Sequence, residues 1–333
     1  MYIKRNRFSM ATASAAMMLA LAACGGGGGG GSSSGSSSGS TSPTTSNTQT
    51  ATSANVSTPQ YAAGSVQLAM FQDVNTARQQ CGFPAVVENT TLDTSSANHV
   101  TYMLDNGGIA TDTEASANKG FTGVTYQDRA VSAGYPSGVG VGGESAGYYT
   151  TATLANAAYG QALTEGWIYG VYHSALVAEP FAQIGFGEGQ LTYNNFPQVL
   201  AANSYSGNTP LTGNLPLTYP CQGTTGVPYA YGGEVPQPPG TTNGTNWGPS
   251  IPVAGNVGDT VTLTSGTLTD TSGHVITMKL LDSTSDTNGL LPKYRAVAYS
   301  LTALTPNTTY SVSITGTYNG ASFSRNYTFS TKS

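Results

Sequence analysis

Charge is scarce in this chain. Only 8% of its 333 residues are Asp, Glu, Lys or Arg, with 16 acids against 11 bases, and Lys4, Arg5 and Arg7 crowd the first few positions. No basic stripe is left to engage phosphates, which excludes nucleic acid as a partner. Long apolar runs are missing too. The uncharged apolar or small-residue run from Met10 to Ala23 is too short to span a bilayer as a stable helix. Behind its positive n-region it reads as a secretory signal peptide over residues 1–23. Large apolar residues are nearly absent from Gly25 to about Ala63, where Gly, Ser and Thr predominate. Such a segment buries too little surface to offset its ordering entropy. It is predicted to be a flexible tether over 24–63, about 35 Å in mean reach.

Cysteine occurs three times, at Cys24, Cys81 and Cys221. Leu21-Ala22-Ala23-Cys24-Gly25 resembles the lipobox of bacterial lipoproteins. The resemblance implies cleavage before Cys24, lipidation of that residue and durable anchoring through more than one acyl chain. The membrane is then a partner, and by the same analogy Gly25, standing where a retention aspartate would be, favours the outer membrane or cell surface. In an oxidising compartment two further thiols pair more often than they stay free, so a Cys81–Cys221 disulfide is expected.

The remaining chain divides by periodicity. Val66, Met70, Val74, Ala77 and Cys81 recur at helical spacing within 65–82, and Gly82 and Pro84 stop the helix. Further helices are predicted over 92–105, from Thr125 to Gly134 with Asp128 in a capping-box-like position, and over about 152–169. Strand-like runs follow at 181–187 and 196–205. Helices first and strands late make residues 64–205 an α+β layer fold. Residues 206–246 read as an extension and linker carrying Cys221. From Trp247 to Ser333 the helical period disappears, and strands are predicted at 259–265, 274–282, 294–301, 309–318 and 322–331. Asn319-Gly320 marks a hairpin between the last two. Leu304-Thr305-Pro306-Asn307-Thr308-Thr309-Tyr310-Ser311-Val312 resembles the L-x-P-x-T-x-Y-x-V stretch of fibronectin type III and related immunoglobulin-like sandwiches. The resemblance implies an all-β sandwich over 247–333, read as a spacer or interaction module; His274 there is an ordinary strand residue.

Gly143-Glu144-Ser145-Ala146-Gly147 matches the G-x-S-x-G nucleophile elbow. An elbow needs a strand leading into the serine and a helix directly after it. Upstream lies "AGYPSGVGVGGE", mostly glycine and turn residues, and Gly147-Tyr148-Tyr149 delays any helix. The next histidine, His173, comes too soon after Ser145 for an α/β-hydrolase triad. Ser145 is therefore not expected to be a nucleophile.

Five segments taken in order account for the glutamate instead: "DVNTARQQCGFPAV" (73–86), "LDTSSANHVTYMLDNGG" (92–108), "FTGVTYQDRAVSAGY" (121–135), "GGES" (142–145) and "VYHSALVAEPFAQIGFG" (171–187). Together they resemble a bacterial member of the CAP superfamily, also called SCP/PR-1-like. The resemblance implies an α-β-α sandwich with an open groove centred on two histidines and two glutamates, sometimes holding a divalent cation. Glu144 matches the glutamate of the G-E element and His173 the histidine of the Y-H element. Where the family's other histidine is expected the chain has Asp112, with Glu114 following. Glu165 stands in the right helix for the second glutamate, with no firm register. The implied cluster of Glu144, His173, Asp112 and Glu114 has one imidazole among carboxylates, a set that binds Zn less well and suits harder cations such as Ca. Carboxylates around His173 also bias it toward its charged form, against metal binding. A structural reading, with Glu144 and His173 hydrogen-bonded to each other, stands beside the functional one. His99 is expected on the helix surface, and Arg78 and Arg129 in ion pairs near Asp73 and Asp128.

Three functions remain open. One is a non-enzymatic surface lipoprotein whose groove, with Tyr148, Tyr149, Tyr169 and Tyr172 nearby, binds a lipid, sterol-like or peptide ligand. Another is a metal-dependent hydrolase using the Glu/His cluster. The third is an adhesin or cell-wall-associated scaffold.

Overall fold

The computed structural model describes residues 54–333 apart from 194 and 243, and of Tyr193 its backbone only. The signal peptide, Cys24 and the tether up to residue 53 lie outside the described residues. The first part of the chain runs β1 (Asn55–Val56), α1 (Val66–Gln80), β2 (Val87–Asn89), α2 (Thr90–Asp105), α3 (Tyr126–Ser132), β3 (Val141–Tyr149), α4 (Asn156–Ile168), α5 (Ala175–Ala178), β4 (Gln183–Tyr193) and β5 (Phe196–Ser206). Local chemistry sets the helix starts. The Ser65 hydroxyl accepts from the Leu68 amide, and Asn89 Oδ1 accepts from Thr91 and Leu92. Thr125 and Asp128 close a reciprocal capping box on α3, as their spacing predicts.

The five strands form one sheet in the order β1-β2-β4-β5-β3. Both its faces are covered, and β5 shows how. Val199 and Ala201 pack with Met70, Val74, Leu163 and Trp167 of α1 and α4, while Leu200 and Ala202 pack with Val100 and Met103 of α2. Alternation along one strand therefore serves two helical layers. Gly185 and Gly187 let α2 lie directly on β4. A Cβ at Gly185 would stand 2.1 Å from the Asp93 nitrogen, and one at Gly187 would stand 2.4 Å from that of Ala97. Strand β1 pairs with β2, and Tyr61 packs against Phe71 and Phe186. The stretch from Asn55, expected to be flexible, thus belongs to the folded unit.

The second part contains β6 (Leu217–Thr218), β7 (Thr224–Val227), β8 (Ser250–Ala254), β9 (Val261–Asp270), β10 (Val275–Thr277), β11 (Lys279–Leu281), β12 (Arg295–Tyr299), β13 (Thr309–Tyr318) and β14 (Ala321–Thr331). They make a five-stranded sheet, β10-β9-β13-β14-β7, and a four-stranded sheet, β11-β12-β8-β6. The predicted strand 274–282 breaks at Met278, whose amide bonds the Gly266 carbonyl, so β10 joins one sheet and β11 the other. Asn319 and Gly320 turn the β13–β14 hairpin with φ of 50° and 81°, values a two-residue primed turn requires. Segment 206–246 contributes β6 and β7 to these sheets.

The two parts share a core. Ala77, Phe83, Tyr169, Tyr172 and Val177 of the first pack in one cluster with Trp247, Ile251, Val253 and Tyr299 of the second. Cys81 and Cys221 are joined as a disulfide, as expected, with their Cα atoms 5.5 Å apart. The β-rich part is not a free-standing spacer in this arrangement. Among the described residues no helix is long and apolar enough to cross a membrane.

Candidate functional site

Ser145 sits within β3, not on a strand-to-helix turn, and α4 begins only at Asn156. Of the glycine-rich stretch read as turn, residues 133–140 are turn and loop, but 141–144 already belong to β3. Its glycines are required by what lies over them: a Cβ at Gly143 would stand 2.3 Å from the Tyr126 ring and 2.4 Å from the Asn203 carbonyl. Ser145 is fully buried and its Oγ lies 2.7 Å from the Tyr126 hydroxyl, which donates to Asp112 at 2.6 Å. No histidine base touches it, so the elbow pattern carries no nucleophile here.

Glu144 points to the opposite face of β3, the face of Ala146 and the α1/α4 layer. Its cross-strand neighbour is Asn203. Burial drives the Glu144 carboxyl well above its ordinary range; Arg295 opposes that rise, whereas Asp112, Glu179 and Glu234 reinforce it. Glu144 Oε2, both side-chain atoms of Asn203 and Nε of Arg295 have no hydrogen-bond partner among the described residues.

His173 follows α4 in a tight turn and is completely buried. Its partner is Glu234, not Glu144. The Glu234 carboxylate takes His173 Nδ1 at 2.8 Å and the backbone amides of Val171, Tyr172 and His173 at 2.8, 2.7 and 3.2 Å. A carboxylate only accepts, so Nδ1 carries the proton and Nε2 is left with no partner among the described residues. Arg295 closes the same turn from β12, donating to the Tyr172 carbonyl at 2.9 Å and pairing with Glu179 at 3.4 Å.

Asp112 and Glu114 take other partners. Glu114 accepts from His99 Nδ1 at 2.8 Å, from the Thr122 amide at 2.6 Å and from the Gly123 amide at 3.3 Å, with Arg129 Nε 3.9 Å away. The other ring nitrogen of His99 lies 2.6 Å from the Thr111 carbonyl. His99, expected on the helix surface, is fully buried, because α2 turns it toward the loop after the helix. Arg129 also stacks on Tyr126, 4.1 Å from its centroid, and donates to the Asp112 carbonyl. Asp128 is spent on the capping box. Arg78 likewise ignores Asp73: it ties down the carbonyls of Pro84, Leu176 and Glu179.

The four sequence-predicted residues therefore lie in two separate places, and no hydrogen bond joins Glu144 to His173. Asp112 and Glu114 belong to the Tyr126–His99–Arg129 network, and Glu144 and His173 to the side closed by Glu234 and Arg295. Asp112 reaches Glu144 through its charge alone. Among the described residues no group of three His, Cys, Asp or Glu is placed to hold a metal ion. Glu234 on Nδ1 leaves Nε2 of His173 open, but among the described residues no further ligands converge on it, so this set does not fit a divalent cation. Glu165 is taken by Lys332 at 2.5 Å. Tyr169 and Tyr172 are buried against the second part, where their hydroxyls meet Tyr219 and Asp286. Sequence reading missed Glu234 and Arg295, since nothing in the spacing of residues 61 and 122 positions further on marks them as neighbours of His173.

An open concavity lies elsewhere among the described residues. A hollow of ≈ 310 Å³ is lined by Tyr102, Met103, Ile109 and Thr111, with Glu114 and Asn118 completing it. Ile109 is 61% exposed there.

Residues 71–201 match the model of the cysteine-rich secretory protein family, CAP, and this stretch is a CAP domain. Comparison with curated proteins gives no match.

Proposed function

We propose that this protein is an exported, lipid-anchored CAP-domain protein that acts by binding a ligand and not by catalysis. One observation carries the reading: Glu144 and His173, which match the groove elements of the family, are buried beneath residues of the same chain, and His173 is already held by Glu234. A hydrolytic site needs a reacting group open to substrate and water. The hollow beside α2 is the better place for a ligand. Its volume is at the low end for small-molecule sites. Exposed Ile109 beside the polar Asn106, Thr111 and Asn118 makes a mixed lining, which favours an amphipathic lipid or a short peptide over a whole sterol. The β-rich part supports an immunoglobulin-like assignment through Tyr310, whose hydroxyl accepts from the Thr305 amide at 2.9 Å in the manner of a tyrosine corner. Lipidation of Cys24 would place the whole on the outer membrane or cell surface.

The test is a titration of the full chain with fatty acid and with short peptides, followed by native mass spectrometry, alongside Ile109→Asp. Binding lost in that variant supports the reading. Ester or peptide hydrolysis by the wild type that disappears in His173→Ala would replace it with the hydrolase.

A further inference from the structure

Glu234 is bound the way a ligand is bound. Three successive backbone amides, Val171, Tyr172 and His173, and the ring Nδ1 of His173 all converge on its two oxygens. Four donors on one carboxylate, at 2.7 to 3.2 Å, make a complete anion cradle. Space for it is built in: a Cβ on Gly170 would stand 3.1 Å from Glu234 Oε1. The cradle belongs wholly to the CAP domain, between α4 and α5. Its occupant comes from beyond that domain, some sixty residues on, in the loop after Tyr231.

We infer that the turn 171–173 is a carboxylate-binding site, with Glu234 as its built-in occupant, and that a ligand bearing a carboxylate takes the site when Glu234 is withdrawn. The inference is independent of the hollow beside α2. Glu234 itself is 2% exposed, but Val235 next to it is 50% exposed, so the occupant lies one residue below the surface. Removing the side chain leaves the four donors facing a space of carboxylate size. Buried donors without an acceptor are costly, so an external carboxylate is drawn in. In the wild type the tethered Glu234 competes at a high effective concentration and excludes it.

The experiment compares the full chain, Glu234→Ala and Glu234→Gln by thermal unfolding in sodium acetate and in sodium chloride of equal ionic strength. Acetate is expected to raise the Tm of Glu234→Ala by about 2–4 °C over chloride. It should leave the wild type and Glu234→Gln unmoved, since in both a side chain fills the site. If Glu234→Ala does not fold in chloride, folding restored by acetate is the same result. Failure in both salts, or a folded variant indifferent to acetate, overturns the inference. Two further arms separate the sources of the carboxylate: octanoate against octanamide, and a tripeptide with a free C-terminus against its amide. The acid that stabilises more names the class. An amide that works as well as its acid overturns the site.

Discussion

Arg295 donates to the carbonyl of Tyr172 at 2.9 Å, reaching from β12 into the turn that carries His173. The same guanidinium pairs with Glu179 at 3.4 Å and, through its charge, restrains the buried Glu144. One cation from the β-rich part thus serves two acids of the CAP domain. Removing it strands them in a medium that penalises charge. Arg295→Met is expected to lower stability by about 3–5 kcal/mol. Arg295→Lys should recover part of the loss, since a single ammonium reaches one acceptor and not the fork. Urea unfolding of the full chain checks both; a loss under about 1 kcal/mol in Arg295→Met would mean that the contact is incidental.

The Cys81–Cys221 bond spans 140 residues and ties the end of α1 to the connection between β6 and β7. Closing so long a loop restricts the unfolded chain, and the expected contribution is about 2–4 kcal/mol. Double substitution to serine should lower the urea midpoint by a corresponding amount. Because the two parts share a core, unfolding should remain one transition monitored by tryptophan fluorescence and by far-ultraviolet circular dichroism. Two separated transitions would show that the core between them is weak.

Gly187→Ala tests the contact between α2 and the sheet. The added methyl would meet the backbone of Ser96 and Ala97 at 2.4 Å, and backbone does not yield as a side-chain tip does. The expected cost is about 3 kcal/mol, the upper end for overpacking. Gly138→Ala, with open space around its Cβ, is the control and should be nearly neutral. Equal effects from the two would contradict the packing argument.

What the sequence made legible follows from range. Helix α1 was readable because Val66, Met70 and Val74 repeat locally, and the α3 cap because Thr125 and Asp128 are three residues apart. The β13–β14 hairpin was readable from Asn319-Gly320. Strand β3 was not: its glycines answer to Tyr126 and Asn203, which only the fold brings near. The broken strand at Met278 was invisible for a related reason, since the switch between sheets depends on Gly266. At the site, motif order identified Glu144 and His173 as residues to watch. Their partners were hidden, because Glu234 and Arg295 lie in segments with no periodic link to the CAP motifs. His99 was misplaced because a helix face shows which residues align, not which loop will cover them.

Two groups of acids should give stability opposite pH trends. Burial pushes Asp93 up to about 7 from an ordinary 3.8, with neighbouring Glu88 adding to the rise, and lifts Asp73 to about 6 with help from Glu165. A raised carboxyl favours the folded state when protonated. Its contribution is complete below about 3.8 and is lost as pH climbs through 6 to 7. Glu114 behaves in reverse. Burial would raise it, but His99, the Thr122 amide and Arg129 together hold it below its ordinary 4.5. Its contribution is present above 4.5 and disappears as pH falls through its lowered value. The combined contribution of these three groups should therefore be greatest at or just below pH 4 (about 3.8, the ordinary value of the two aspartates) and decline toward pH 7.5. Asp93→Asn keeps an oxygen for the Phe186 amide and the Tyr61 hydroxyl, which Asp93 now holds at 2.8 and 2.5 Å. That variant should flatten the decline between pH 5 and 7.5, whereas Glu114→Gln should flatten the acid limb and cost stability at neutral pH. Urea midpoints at half-unit intervals measure both. A wild-type profile that rises from pH 5 to 7.5 would mean that the protons on Asp93 and Asp73 do not govern this range.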